Sequence, residues 1–503
     1  MCLASMLVAL VAGCCPPGKA AVVAPTPPPA EPAPPQPPPV VAEDDGVPWE
    51  TSGVDWTRPP PAAAEAAYAP PVAEEFTLRN GARVILVENR RLPLVSVAVQ
   101  IDGAGSTSGA PGLASLVTDL IVEGAGSYTA LTLPEALEEL GAELGAGAGA
   151  DHAQLGLDVL AEQLPPALAL LGDVIRRPRM ADADFKRVKA DALEALTQRR
   201  DNPRAVAELV FDRALFAGTP YAEPVEGDVA SVSKLTLAQV KAFWKARYRP
   251  KAATILVAGA VDRATLEPLL ETALKGWSGA APAPAAIKAP TPPSTPTIYV
   301  VDRPDAPQSV VVIGGPGPRR DDDAYDAREL INTALGGTFA SRLNSRLREE
   351  LGYTYGVSSG FWRARGAGAW AIRSSIRTDV TVAALKEALA IVERTAAKGL
   401  DADEFAKTAG YLVRQLPLGF ETNDAIVASF ADLVVRGRPL DDYARYAARV
   451  RAVTPEEATR SIATIWRDLH VVVVGDWDQL RYMLTTLRLP IVHLDADGRP
   501  TTR

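Results

Sequence analysis

The sequence predicts an α+β protein of two homologous halves, each an antiparallel sheet with helices packed on it, joined by a Pro/Ala linker into a clam-like body. Three observations carry this. Residues 279–296 hold six prolines among many alanines, the composition of an interdomain linker. The pattern before that linker returns after it, with Val87 and Val301 closing equivalent strands 214 positions apart and Val97 matching Val311 at the same offset. Further on, Ala183-Asp-Phe185 answers Asp403-Glu-Phe405, and Thr236 with its helix and Gly259-ended strand answers Thr454 and Val471–Gly475. An offset held within a few positions across four elements marks a duplicated unit.

The expected divisions are a signal peptide at 1–13, a lipidated tether at 14–72, a first half at 73–278, the linker at 279–296, a second half at 297–490 and a tail at 491–503. Leu3 to Gly13 is an apolar run too short to span a bilayer but suited to a signal-peptide core. Its end, Leu10-Val11-Ala12-Gly13-Cys14, resembles a bacterial lipobox, which implies acylation at Cys14 and a place in the bacterial cell envelope, at the outer membrane facing the periplasm. Of the 44 prolines, 18 fall between Pro16 and Pro71, so that stretch is expected to be an extended spacer.

Composition excludes several chemistries. A net charge of −9 argues against nucleic acid as a partner. The cysteines are Cys2, Cys14 and Cys15, so the folded body has no disulfide framework, thiolate zinc site or cysteine nucleophile. His152, His470 and His493 are too far apart in sequence for a local metal motif. Walker loops, G-x-S-x-G elbows and dinucleotide fingerprints are absent.

In the first half, Phe76 to Leu86 reads as strand, Asn80-Gly81 turn and strand, and Leu94 to Ile101 as a further strand. Leu113, Leu116, Val117, Leu120 and Ile121 recur at helical spacing, and the other face of that helix presents Ser115, Thr118 and Asp119. Thr132 to Glu135 reads as a capping box opening a helix through Leu144. The Gly/Ala run from Gly141 to Ala150 leads into a strand near Gln154. By itself the run reads as a flexible glycine-rich turn. His152 is expected at the surface.

In the second half, Leu335 to Ser359 reads as a Gly336-Gly337 turn, an amphipathic helix with Phe339, Leu343, Leu347 and Leu351, a stop at Gly352 and a strand from Tyr353. Arg346 and Tyr353, seven residues apart, are expected on one face. Trp370 to Ile376 reads as a strand and Thr381 to Lys398 as a helix. Arg363, Arg365, Arg373 and Arg377 either line a chamber or sit on a solvated sheet face.

The stretch 335–359 is similar to the C-terminal half of the pitrilysin/insulinase family of inverzincin metallopeptidases. There a helix of the form S-R-L-x-x-x-L-R-E-x-x-G-x-x-Y carries an Arg and a Tyr into the catalytic chamber. The resemblance assigns substrate binding and polarisation of the scissile carbonyl to Arg346 and Tyr353, both hydrogen-bond donors. The alternative at residue level pairs Arg346 with Glu349 or Glu350 and packs Tyr353 as an ordinary strand aromatic.

The same resemblance makes the first half informative by what it lacks. The family motif G-L-A-H-x-x-E-H, laid on Gly112-Leu113-Ala114, puts Ser115 and Asp119 at the zinc-binding histidines and Thr118 at the general base. The third ligand position falls on Ala195, one residue from Glu194. A hydroxyl is a poor zinc ligand and threonine is no base. The resemblance therefore implies a chain with no metal or other cofactor of its own. It would be a non-catalytic subunit whose zinc resides in a paralogous H-x-x-E-H-containing partner and whose ligand is a peptide. A scaffold lipoprotein without enzymatic partner and a self-sufficient metallopeptidase are the rival readings.

Overall fold

The computed structural model describes residues 68–284, 286–288, 290 and 295–501. The signal peptide, Cys14 and nearly all of the tether lie outside these residues. Among the described residues, no helix is long and apolar enough to cross a membrane.

The first sheet contains β1 (Glu74–Thr77), β2 (Arg83–Glu88), β3 (Leu94–Asp102), β4 (Glu143–Ala148), β5 (His152–Leu160) and β6 (Ala253–Gly259) in the order β1-β2-β6-β3-β5-β4. The second contains β7 (Ile298–Asp302), β8 (Gln308–Pro316), β9 (Thr354–Arg363), β10 (Gly368–Arg377), β11 (His470–Gly475) and β12 (Ile491–Leu494) in the order β12-β7-β11-β8-β10-β9. Removing β1 and β12 leaves one topology twice, with β6 parallel to β2 and β11 parallel to β7. The α+β fold of two homologous halves is therefore present. The second half reaches further than expected, because part of the supposed tail is β12, parallel to β7.

Central strands such as β3 and β8 are covered on both faces and bury seven of their nine residues. Each sheet therefore has two covers. One cover is its own helices. The other is a helix lent by the opposite half.

The helix Pro203–Leu215 lays Val206, Val210 and Phe211 against Val310, Val312, Val472 and Val474 of the second sheet. In return, the helix Asn423–Arg436 lays Ile426, Val427 and Phe430 against Ile85, Val87, Leu256 and Ala258 of the first. At ~1.5–3 kcal/mol per fully buried large apolar side chain, this exchange holds the halves together. Both visiting helices begin at a capped end. Asn202 accepts from the N–H groups of Arg204 and Ala205, and Thr422 accepts from that of Ala425.

Several local expectations need correction. The helix at Thr132 ends at Glu139, because Gly141 turns the chain at φ +57° and β4 begins at Glu143. Its cap is a Thr129/Thr132 pair, each hydroxyl accepting the other residue's N–H at 3.2 and 2.9 Å, and Glu135 takes no part. The Gly/Ala run is a strand, not a loose turn. His152 is half-buried, and desolvation lowers its pKa.

Candidate functional site

The helix Leu113–Ile121 starts at Gly112, whose φ of +83° and contact with Val232, 2.5 Å from where a Cβ would stand, admit only glycine. Its outer face shows how the degenerate motif is used. Thr118 is buried and turns its hydroxyl inward, donating to the Ser115 carbonyl at 2.8 Å. Ser115 Oγ lies 3.5 Å from Asp119 Oδ2. Asp119 keeps an exposed edge, but desolvation, with repulsion from Glu226 and Glu123, pushes its carboxyl up to about 6 against the Ser115 hydrogen bond.

Glu194, on the helix Asp182–Arg199, is exposed and accepts from Gln198 at 3.1 Å. Among the described residues, no three His, Cys, Asp or Glu side chains are arranged to hold a metal ion. The donor set does not fit zinc. One carboxylate with a raised pKa, one hydroxyl and one inward-turned threonine give neither the charge nor the geometry it needs.

Beside this helix lies β4, the outermost strand of the first sheet, hydrogen-bonded to β5 alone. Gly145, Gly147 and Gly156 leave open space where side chains would stand, and a groove of about 440 Å³ runs along them. Asp158 lies at its end, its pKa raised by burial and by the Asp424 carboxyl of the visiting helix. A strand edge with a glycine floor can take an extended peptide by backbone pairing.

The Arg/Tyr element differs from its sequence reading. Residues Ser345–Glu350 are wound more widely than an α-helix, and Gly352 turns the chain at φ +62°. The α-helical spacing that would set Arg346 and Tyr353 on one face is therefore not kept. Arg346 donates to Glu350 at 2.7 Å and to both Glu387 oxygens at 3.3 and 3.4 Å. Tyr353 is half-buried against the second core, its N–H bonded to the Leu347 carbonyl at 2.9 Å.

Counted letter by letter, the form S-R-L-x-x-x-L-R-E-x-x-G-x-x-Y begins at Ser341 and sets its Arg at Arg348 and its Tyr at Tyr355. Those residues are presented differently. Arg348 lies over the Phe339 ring at 3.9 Å, and Tyr355, at the start of β9, is 90% exposed. The G-x-x-Y span from Gly352 to Tyr355 is the signal that sets this register. Phe339, expected on the buried face of the helix, is 67% exposed because it lies in the turn before the helix, which begins only at Arg342.

Three of the four arginines first placed on a solvated face or in a chamber are structural. Arg363 pairs with Glu329 at 2.7 Å and lies over Tyr325, Arg365 pairs with Asp102, and Arg373 grips Glu208 across the two halves. Arg377 pairs with Asp379 at the surface.

Comparison with known proteins agrees with this geometry. Residues 83–229 match the description "Insulinase (Peptidase family M16)" and residues 234–410 match "Peptidase M16 inactive domain". A Mycobacterium bovis protein named an uncharacterized zinc protease is 29% identical over 73% of this chain and 83% of its own length. A Helicobacter pylori protein named a non-peptidase homolog is 25% identical over 71% of this chain and 83% of its own. The crystal structure titled peptidase M16 inactive domain from Pseudomonas fluorescens superposes with TM-score 0.75 and 27% identity, covering 80% of this chain and 98% of that one.

Proposed function

Because the chain belongs to the insulinase (M16) peptidase family, as a member of non-catalytic type, we propose that it is the substrate-holding subunit of a heteromeric zinc peptidase. The observation that carries the proposal is the pairing of an open glycine-lined β4 edge with a neighbouring helix bearing Ser115 and Asp119 in place of metal ligands and Thr118 in place of the general base. A peptide adds to β4 by backbone hydrogen bonds. A paralogous H-x-x-E-H-containing chain supplies zinc, the attacking water and the general base. Arg348 and Tyr355 present hydrogen-bond donors to the carbonyl being cleaved.

Acylation of Cys14 and the proline-rich tether hold the assembly at the outer membrane, facing the periplasm. The test mixes the purified chain with an H-x-x-E-H-bearing paralogue from the same organism. Chelator-sensitive cleavage of an unstructured peptide is expected from the mixture and not from this chain alone. Cleavage by the isolated chain with near-stoichiometric zinc would return it to the self-sufficient peptidases. A mixture that does not form, or does not gain activity, would leave a peptide-binding scaffold.

A further inference from the structure

A cleft of about 620 Å³ lies where the Pro203–Leu215 helix leaves β9 and β10 uncovered, and its charged walls are Arg204, Arg373 and Glu208. Arg373 holds Glu208 with two hydrogen bonds of 2.5 and 2.9 Å, so those charges cancel. Arg204, one turn earlier on the same helix, makes one long contact, Nη2 to Ser375 Oγ at 3.4 Å, and no carboxylate among the described residues pairs with it. One positive charge is left over. The floor beside it is apolar, formed by Val310 and Val312, and the exposed ring of Phe339 stands at the rim.

The cleft cannot accept a chain as an added strand in the way β4 can. The outer edge of β9 is already filled. Buried Asn344 accepts the Val357 N–H at 3.1 Å and donates to the Val357 carbonyl at 2.7 Å, doing with one side chain what a neighbouring strand would do. Two residues on, buried Asn332 donates to the Ser359 carbonyl at 3.2 Å. An occupant must therefore be recognised by its own functional groups.

We propose that this cleft binds the C-terminal residue of a peptide, its free carboxylate on Arg204 and its apolar side chain against Val310, Val312 and Phe339. A chain terminus offers a carboxylate and an apolar side chain on one residue, which matches one unbalanced guanidinium beside an apolar floor. The assignment rests on the reading of the chain as a peptide-binding subunit and adds an end-specific subsite, in the half opposite β4.

The experiment measures fluorescence anisotropy of an N-terminally labelled, unstructured decapeptide ending in leucine, as the free acid and as the C-terminal amide, on the full chain. The acid is expected to bind at least about tenfold more tightly. Arg204→Gln abolishes that difference without weakening the amide, and Arg204→Lys retains part of it. The exposed position of Arg204 lets these variants fold, which circular dichroism checks. Equal binding of acid and amide, or a preference that survives Arg204→Gln, overturns the subsite and leaves peptide binding at β4 standing. Binding of neither peptide overturns both.

Discussion

The Asp151 carboxylate accepts the backbone N–H of Arg365 at 2.7 Å, joining the turn of the β4–β5 hairpin to that of β9–β10. The two residues are 365 − 151 = 214 positions apart, the offset of the duplication itself, so equivalent turns of the repeats meet. Tyr221 completes the junction. Its hydroxyl donates to Asp151 at 3.0 Å and accepts the Gly366 N–H at 2.9 Å.

Asp151 is buried, so truncation strands polar groups that water cannot reach. Asp151→Ala is expected to cost about 3 kcal/mol, read as a lowered urea midpoint. Asp151→Asn, which can still accept through its carbonyl oxygen, is expected to cost less than half of that. A midpoint unchanged by Asp151→Ala would show that the hairpin junction does not hold the halves together.

Asp212 on the Pro203–Leu215 helix gives a pH signature. Desolvation, then the nearby Glu208 carboxylate, push it up to about 7, while Arg373 opposes. A carboxyl raised in the folded state stabilises the fold most below its unfolded pKa, near 4. That contribution is lost as pH rises through about 7. Asp212→Asn is therefore expected to flatten the fall in stability between pH 5 and 8, gaining on the order of 1–2 kcal/mol on the parent at the upper end. Parallel pH–stability curves for the two proteins would contradict this.

Asn344 protects an edge as well as shaping a cleft. Replacing it with leucine removes both partners of Val357 and leaves its N–H and carbonyl buried without a partner. The expected loss is about 2–3 kcal/mol, read as a lowered urea midpoint. An unchanged midpoint would mean that the asparagine is dispensable at this edge.

These relationships mark what the sequence could tell. The alternation in β3, the helical spacing from Leu113 to Ile121 and the repeat offset were legible because they are local or self-comparing signals. The visiting helices were not. An apolar stripe says that a face is covered and not by which half, so nothing in the sequence assigns Phe211 or Phe430 to the opposite half's sheet. For a related reason the partners of the arginines of β10 and of its turn are not legible in the sequence. Arg365 and Arg373 find their acids 263 and 165 positions away, beyond any i,i+4 argument. The degenerate metal positions were readable because that motif is contiguous, whereas the Arg/Tyr register depended on counting across a glycine.

That register can be tested in the reconstituted complex. Arg346 is held by Glu350 and Glu387, whereas Tyr355 is open to solvent at the start of the edge strand. Tyr355→Phe, which deletes one hydroxyl, and Arg348→Ala are each expected to lower kcat/KM for peptide cleavage on the order of 10²-fold, the scale for losing a donor to a developing oxyanion. Arg346→Ala should leave cleavage within about twofold, since its ion pairs are exposed to solvent. Arg346→Ala abolishing activity while Arg348→Ala spares it would restore the register two residues upstream. Four intact activities, from these three variants and Tyr353→Phe, would mean that cleavage draws no donor from this chain.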